Sequence, residues 1–364
     1  MTTTIDNEQK TLNVPNLRFP EFEGEWQENY VNEICNEFKS GKAIKADLIL
    51  DVGTYPVFGG NGLRGYTSTY NHDGLFVLIG RQGALCGNVR SVIGKTYITE
   101  HAIAVNGNNK SDTNFLHYLF LQMDLGRFSD QSAQPGLAVN KLLKLKVITP
   151  RIDEQRKIAN LLRLLDERIA TQNKIIEKLE SLIKGIRNDV FGKLRKSVGF
   201  NAMIGDVLSY EQPQSYLVED TEYTNEGTPV LTANKAFVLG YTSEIEGIYD
   251  KGDCIIFDDF TLDCKYVDFS FKVKSSAIKI LTAKNKELLR YTFEFLKYLD
   301  LSTEEHKRHY ITEMQNQEFI LPTVQIIRTI AHAFYALSLW KETIVKQRYA
   351  FEKQKQYLLR QMFI

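Results

Sequence analysis

The segment from Pro150 to Phe191, PRIDEQRKIANLLRLLDERIATQNKIIEKLESLIKGIRNDVF, carries the clearest structural pattern in the sequence. Apolar side chains recur along it in alternating steps of four and three residues, with Gln172 as a polar member of the series: Ile158, Leu162, Leu165, Ile169, Ile176, Leu179, Ile183 and Ile186. This spacing is the seam of a coiled coil. A helix of this length spans roughly 60 Å, too long to bury its stripe against a small domain. The pattern therefore predicts pairing with a second helix.

A second helix with the same phase lies 172 positions further on, from Pro322 to Phe363. The matching seam positions carry Ile330, Phe334, Leu337, Ile344, Phe351 and Leu358. Residues 198–321 separate the two helices and let the chain turn back. The two segments are therefore predicted to form an intramolecular antiparallel coiled coil.

The remaining sequence repeats at nearly the same offset. Pro56-Val57 recurs as Pro229-Val230 after 173 positions, and Ala102-Ile103 recurs as Ala277-Ile278 after 175 positions. A slowly drifting offset is typical of tandem duplication with small insertions. The sequence thus predicts an α+β fold: two mixed α/β domains (1–149 and 197–321), two long helices (150–196 and 322–364), and a pseudo-two-fold internal repeat.

Local patterns predict the individual elements of both domains. The predicted strands are Tyr55–Phe58, Leu75–Ile79, Ala102–Val105, Cys254–Phe257 and Ala277–Leu281. The predicted helices are Trp26–Phe38, Asn114–Met123 and Lys286–Leu299.

Charge and composition narrow the function classes. The chain has 45 basic and 45 acidic residues, yet residues 151–196 carry 12 Lys and Arg against 7 Asp and Glu, and residues 323–364 carry 7 against 2. Positive charge is therefore concentrated on the helices, which suits a locally focused nucleic-acid binder. No apolar run is long enough for a membrane span, and the four cysteines are scattered. A cytoplasmic protein with reduced cysteines is the simplest expectation.

Familiar catalytic and metal-binding patterns are weak in this sequence. Gly60 to Gly65 fits G-x-G-x-x-G, but a β-prone segment follows it rather than a helix, which favours a surface loop. His306 and His309 have no evident third ligand, and Asp258-Asp259 are interpreted as solvated loop acids. No catalytic residue and no metal site is predicted, so a binding role is favoured.

Side chains that read base edges or stack on nucleotides are frequent in the predicted loops. For any single residue, ordinary solvated surface is the competing interpretation. The candidate DNA-binding residues are Lys39, Lys42, Asn61, Arg64, Tyr66, Arg81, Gln82, Gln134, Asn140, Gln212, Asn234, Lys235, Lys265, Tyr266, Arg308, His309 and Tyr310.

Several segments resemble the specificity subunits of type I restriction–modification systems. The opening Leu17 to Phe22 with Trp26 is similar to the family's start, and Pro150 to Ala159 looks like its Pro-x-x-x-Glu-Gln-x-x-Ile-Ala helix start. The ending Leu358 to Phe363 is also similar. The second helix departs from this pattern, since Gln325-Ile326-Ile327 replaces Asp-Glu-Gln.

This resemblance implies a non-catalytic subunit that binds double-stranded DNA through two target-recognition domains, each reading half of a bipartite site. It implies that the helices dock two methylation subunits, which bring S-adenosylmethionine. Restriction subunits, which bring ATP and Mg²⁺, would join the full complex, and this chain would bind no cofactor itself. The alternative is a non-catalytic protein-interaction scaffold built on the coiled coil, and a third possibility is an enzyme active on its own.

Overall fold

The computed structural model describes residues 12–130, 135–232, 237–301, 309–311 and 313–364. The chain divides into two compact units. Unit 1 comprises the residues up to Thr171 together with Gln347–Ile364, and unit 2 comprises Gln172–Lys346. Each unit therefore contains one globular part and a portion of both long helices.

The first half of the chain ends in a helix of 46 residues. Its elements are β1 (Gln27–Tyr30), α1 (Val31–Ile34), β2 (Cys35–Ser40), β3 (Tyr55–Gly59), β4 (Gly62–Thr67), β5 (Leu75–Gly80), β6 (Val89–Ile93), β7 (Tyr97–Ile98), β8 (Ala102–Gly107), α2 (Thr113–Gln122), α3 (Val139–Leu142), β9 (Lys146–Thr149) and α4 (Ile152–Ser197).

The second half ends in a helix of 38 residues. Its elements are β10 (Ala202–Met203), α5 (Ile204–Val207), β11 (Leu208–Glu211), β12 (Thr228–Leu231), β13 (Val238–Thr242), β14 (Cys254–Asp258), β15 (Cys264–Val267), β16 (Lys272–Val273), β17 (Ile278–Ala283), α6 (Lys286–Leu299), β18 (Glu318–Phe319) and α7 (Val324–Gln361).

The two globular parts have the same sheet topology. Unit 1 has sheets ordered β2-β8-β5-β6, β4-β3-β7 and β1-β9, and unit 2 has the matching orders β11-β17-β14-β15, β13-β12-β16 and β10-β18. Neighbouring strands are antiparallel except for β3 with β7 and β12 with β16, which are parallel in both units. The predicted α+β class and the internal duplication are confirmed at the level of topology.

The helix predicted at Trp26–Phe38 is wrong. The segment forms β1, the single turn α1 and most of β2. Its apolar residues do not share one helix face: Trp26 packs edge-on against Phe115, whereas Phe38 packs against Phe120 from β2. The pairing of β2 with β8, a contact far away in sequence, overrides the local helical pattern.

In unit 1 the two long helices run antiparallel. Asp166 of α4 accepts a hydrogen bond from Lys355 of α7 at 2.5 Å, and two residues further along α4 the Arg168 guanidinium lies over the ring of Phe351 at 5.6 Å. As the residue number rises along α4, the number of the contacting residue on α7 falls. The two helices are therefore antiparallel. The carboxylate of Asp166 also accepts from the Tyr118 hydroxyl at 2.8 Å, so it joins both long helices to α2.

Unit 2 pairs the other halves of the same helices in the same sense. Glu180 of α4 forms an ion pair with Lys341 of α7 at 2.6 Å, and Arg187 lies over Phe334 at 5.7 Å. Every seam residue predicted from the heptad pattern is buried or half-buried in its unit. The spacing of apolar residues thus gives the paired face of both helices.

The end of one long helix completes the core of each unit. In unit 1, Phe363 stacks on Phe115 of α2 with ring centroids 5.3 Å apart. In unit 2, Phe191 of α4, which matches Phe363 in the repeat, packs against Tyr291 of α6 at 5.3 Å and Phe295 at 5.5 Å. All of these rings are buried. Each globular part therefore depends on a helix end that closes its hydrophobic core.

The first turn of α4 is tied to unit 1 by two buried polar side chains. Glu154 accepts hydrogen bonds from Arg18 through both carboxylate oxygens at 2.7 Å, and from the Trp26 indole at 3.3 Å. Gln155 accepts from the backbone N–H of Asp112 at 2.9 Å and donates to the carbonyl of Pro150. A buried polar group is stable only when it is hydrogen-bonded. These contacts therefore explain how Glu154 and Gln155 can be buried in the first turn of α4.

Unit 2 replaces these polar ties with apolar packing. The residue that corresponds to Gln155 is Ile327, which is buried in the unit 2 core. The start of α7 therefore packs on its globular part through apolar side chains, where the start of α4 uses polar ones. The helix α7 still begins at Val324.

His117 on α2 is expected to make unit 1 sensitive to acid. Burial, reinforced by the charge of Lys355, lowers the pKa of His117 to about 4. The unfolded chain takes up a proton below about pH 6.5 whereas the native state does not, so stability falls as the pH drops towards 4. The loss should reach about 2 kcal/mol near pH 5.

The variant His117→Phe should lose this dependence, since position 293 of α6, which matches it in the repeat, is Phe. Urea unfolding curves at neutral pH and near pH 5 measure the difference. An equal loss of stability in the native chain and the variant would contradict the assignment to His117.

Candidate nucleic-acid interface

Three turns of unit 1 meet at the end of β5. The Arg81 N–H donates to the carbonyl of His101 at 2.9 Å, and the Leu137 N–H donates to the carbonyl of Arg81 at 2.9 Å. The turn between β3 and β4 reaches the same place, since a side chain at Gly60 would come within 2.7 Å of the His101 carbonyl. Backbone hydrogen bonds thus gather residues far apart in sequence into one cluster, here called the unit 1 loop cluster (60–64, 80–90, 99–101 and 135–137).

Glycine is required at the tip of the β3–β4 hairpin. Gly62 has a φ of +107°, and a side chain there would collide with the guanidinium of Arg90. Only glycine combines this backbone with such close approach. The G-x-G-x-x-G segment is therefore a strand–turn–strand hairpin, and the surface-loop interpretation is confirmed over the dinucleotide one.

The unit 1 loop cluster presents hydrogen-bonding side chains of several kinds. Asn61, Arg64 and Gln82 are exposed, whereas Arg81 and Arg90 are half-buried. His101 contacts the amide oxygen of Gln82 through Nδ1 at 3.3 Å. Guanidinium and amide groups are those that read base edges and bind phosphates. The structure brings together four of the predicted residues: Asn61, Arg64, Arg81 and Gln82.

Arg90 and His101 belong to this cluster but were not predicted. Arg90 reaches it because β6 pairs with β5 in a register that sets Arg90 opposite Leu78. His101 reaches it through the turn that precedes β8. Neither position carries a sequence signal, because strand register and turn geometry decide both.

The other candidates in unit 1 lie apart from the three turns. Lys39 and Tyr66 lie on β2 and β4, Asn140 is exposed on α3, and Gln134 lies outside the described residues. Lys42 is exposed, and its N–H donates to the carbonyl of Ile98 at 3.0 Å, near the turn that leads to His101.

Unit 2 builds the same loop arrangement from different residues. The Asp259 N–H donates to the carbonyl of Ala277 at 3.0 Å, and the His309 N–H donates to the carbonyl of Asp259 at 3.0 Å. These two bonds repeat those that Arg81 makes in unit 1. Asp259 therefore takes the place of Arg81, and an acidic residue stands where unit 1 has a basic one.

The acids Asp258 and Asp259 are buried, so their interpretation as solvated loop acids is wrong. Asp259 forms an ion pair with Lys279 at 3.3 Å, and both side chains are 1% exposed. Lys279 also donates to the Gln212 side chain at 2.8 Å. Asp259 accepts from the backbone N–H groups of His309 and Tyr310, at 3.1 and 2.8 Å, so this carboxylate fixes the chain where it returns to the loop.

The remaining candidates of unit 2 are mostly engaged in intramolecular contacts. The side chains of His309 and Tyr310 are buried, and Lys265 pairs with Asp263 at 3.0 Å. The Tyr266 hydroxyl donates to Asp253 at 2.8 Å, and its ring lies 4.5 Å from the Arg290 guanidinium. The structure thus gives these side chains packing or positioning contacts. Asn234, Lys235 and Arg308 lie outside the described residues.

In the part of the chain that the structure describes, no group of three His, Cys, Asp or Glu side chains is arranged to hold a metal ion. Within the same residues, no helix has the length and apolar character needed to cross a membrane.

Comparison with known proteins gives matches to part of the chain. Residues 23–181 match the family described as type I restriction modification DNA specificity domain. A segment of 154 residues is 42% identical to the type I restriction enzyme EcoprrI specificity subunit of Escherichia coli, and covers 41% of this chain and 38% of that protein. The EcoR124I/EcoR124II specificity subunit of the same species is 45% identical over 126 residues. These residues cover 33% of this chain and 31% of that relative. The matched segments thus span less than half of each relative.

Solved structures share the fold over nearly the whole chain. The S subunit of a type I restriction–modification system from M. genitalium superposes with a TM-score of 0.74 at 17% identity, and the superposition covers 96% of this chain and 99% of the other. A chain from a structure of type I system complex assembly and conformational transition gives a TM-score of 0.50 at 13% identity, with coverages of 92% and 96%. At these identities the likeness concerns the fold.

The buried ion pair of unit 2 gives a stability prediction. Lys279→Met leaves the Asp259 carboxylate buried without its counter-charge, which should lower the free energy of unfolding by about 3 kcal/mol. Adding Asp259→Asn should restore most of the loss, because the amide oxygen still accepts from His309 and Tyr310.

Urea denaturation measures both variants against Lys286→Met. Lys286 pairs with Asp253 but is 78% exposed, so its loss should lower the stability much less than Lys279→Met does. Equal effects of Lys279→Met and Lys286→Met would show that the buried pair has no special role.

Proposed function

We propose that this chain is the sequence-specific DNA-recognition subunit of a type I restriction–modification complex, because residues 23–181 match the family described as type I restriction modification DNA specificity domain. In this proposal it directs the chemistry of other subunits to a DNA sequence and performs no catalytic step itself. The domains would be recognition domain 1 (1–149), spacer helix 1 (150–196), recognition domain 2 (197–321) and spacer helix 2 (322–364).

One observation carries the proposal furthest: both units build the same hydrogen-bonded loop arrangement at the end of the corresponding strand. Arg81 and Asp259 occupy the same place in it, and each donates one backbone hydrogen bond to, and accepts one from, segments at corresponding positions. A duplicated scaffold with different side chains at the same loops suits two readers with different preferences. Each unit would read one half of a bipartite site in double-stranded DNA.

The side chains of the unit 1 loop cluster support direct reading of DNA. Arg64, Arg81 and Arg90 supply guanidinium groups, and Asn61 and Gln82 supply amides. Arginine recognises guanine and phosphate, and Asn or Gln recognises adenine. Backbone hydrogen bonds hold the turns that carry them, so the groups are positioned before DNA binds.

The charge balance of the two recognition domains indicates a need for partners. Residues 17–149 carry 13 Lys and Arg against 13 Asp and Glu, whereas residues 198–321 carry 12 against 21. Phosphate contacts require positive charge, so partner subunits would supply much of it around unit 2. We propose that the helices dock two methylation subunits carrying S-adenosylmethionine, and that restriction subunits using ATP and Mg²⁺ join them in the cytoplasm.

Replacing the arginines of the unit 1 loop cluster should weaken DNA binding. Each of Arg64→Ala and Arg81→Ala should cost about 1–3 kcal/mol if the side chain contacts a base, and should change the preference in one half-site only. The measurement is methylation of a library of DNA duplexes by the purified chain with its methylation subunit, repeated over a range of salt concentrations.

Lys193→Ala serves as the charge-matched control, since Lys193 is an exposed residue of α4 paired with Asp189. It should leave half-site preference unchanged. An interaction scaffold without DNA specificity, the alternative function, predicts no effect of any of these substitutions on the sequence methylated. Binding that does not weaken as salt rises would also contradict DNA recognition.

A further inference from the structure

A cleft of about 180 Å³ lies in unit 1 between the first turn of α2 and one face of α4. Ala159, which is buried, is among the residues that line it. The other lining residues are polar or charged: Asp112, Asn114, Arg156, Asn160 and Arg163.

Two arginines give the cleft its positive character. Arg156 has one ion-pair partner among the described residues, Asp153, at 3.7 Å, and both side chains are more than half exposed. Arg163 donates to the Asn160 side-chain oxygen at 2.8 Å and pairs with Glu167, so it is held in place along α4. The N-terminus of α2, a helix of ten residues without an acid in its first turn, adds partial positive charge.

The corresponding position in unit 2 shows which chemical group pairs with this arginine. Arg328, which matches Arg156 in the repeat, pairs with Glu287 in the first turn of α6 at 3.1 Å. Unit 2 therefore supplies a carboxylate to this arginine from its own chain.

Among the described residues of unit 1, α2 offers no free carboxylate to Arg156 in its first turn. The first turn of α2 contains Thr113 and Asn114, and the Asp112 carboxylate is already used to cap the helix by accepting from the Phe115 N–H at 3.0 Å. Arg156 consequently faces an open cleft, where Arg328 faces a glutamate.

We propose that this cleft binds a carboxylate side chain from an acidic segment of a protein partner, which takes the role that Glu287 has in unit 2. A phosphate group fits less well, because the Asp112 carboxylate lines the same cleft and repels a doubly charged anion more strongly than a single carboxylate. The site is distinct from the unit 1 loop cluster and does not depend on DNA recognition.

The test uses the intact chain without DNA or other subunits. The probe is a tetraglutamate peptide carrying an uncharged dye, and its binding is followed by fluorescence anisotropy. Arg156→Ala should weaken binding about tenfold, the effect of losing one charge-assisted contact. Asn114→Glu should have a similar effect because it places a carboxylate of the chain itself in the cleft.

Two matched variants separate the cleft from general charge effects. Arg328→Ala removes the same charge from a residue that already holds Glu287, and Asn114→Gln keeps the side chain neutral; both should bind the peptide as the native chain does. Equal weakening by Arg156→Ala and Arg328→Ala would overturn the proposal. So would binding of inorganic phosphate at this cleft without binding of tetraglutamate. None of these outcomes bears on DNA recognition, which is measured separately with duplex DNA.

Discussion

Packing of a helix end into each globular core joins the long helices to the sheets of both units. Phe363 closes unit 1 against Phe115, and Phe191 closes unit 2 against Tyr291 and Phe295. Burying one such ring contributes about 1.5–3 kcal/mol. In unit 1 this aromatic residue arrives from the other end of the chain, so residues 12–171 lack part of their core until 347–364 are in place.

The apolar framework is shared by the two units, whereas their polar chemistry has diverged. Unit 1 opens α4 with the buried Glu154–Arg18 pair, and the same place in α7 is apolar around Ile327. The loop that holds Arg81 in unit 1 holds the buried Asp259–Lys279 pair in unit 2. In the proposed function, a common scaffold with changed polar groups would be the physical basis for two readers that recognise different DNA.

The helices and the repeat could be predicted from the sequence because their signals are local or periodic. The 3.5-residue spacing of apolar side chains identified the buried face of α4 and α7, and the drifting offset of Pro56 and Pro229 identified the duplication. The segment 26–38 could not be predicted, because pairing of β2 with β8 decides its structure.

The candidate interface was predicted only in part, and for a related reason. Asn61, Arg64, Arg81 and Gln82 stand out as polar residues in glycine-rich turns, and the structure gathers them. Arg90 reaches the same cluster through strand register, which no single segment encodes. The prediction for Asp258 and Asp259 was wrong, because in sequence they look like surface acids. Burial beside Lys279, itself hidden within a strand, changes their role.

In the proposed function, each globular part reads its own half of one DNA site. The most direct measurement maps methylated sequences after residues 17–149 are replaced by the corresponding domain of another specificity subunit, in the presence of the methylation subunit. We expect one half of the methylated sequence to change while the other half stays as it was. Methylated sequences that are unchanged, or altered in both halves, would contradict it.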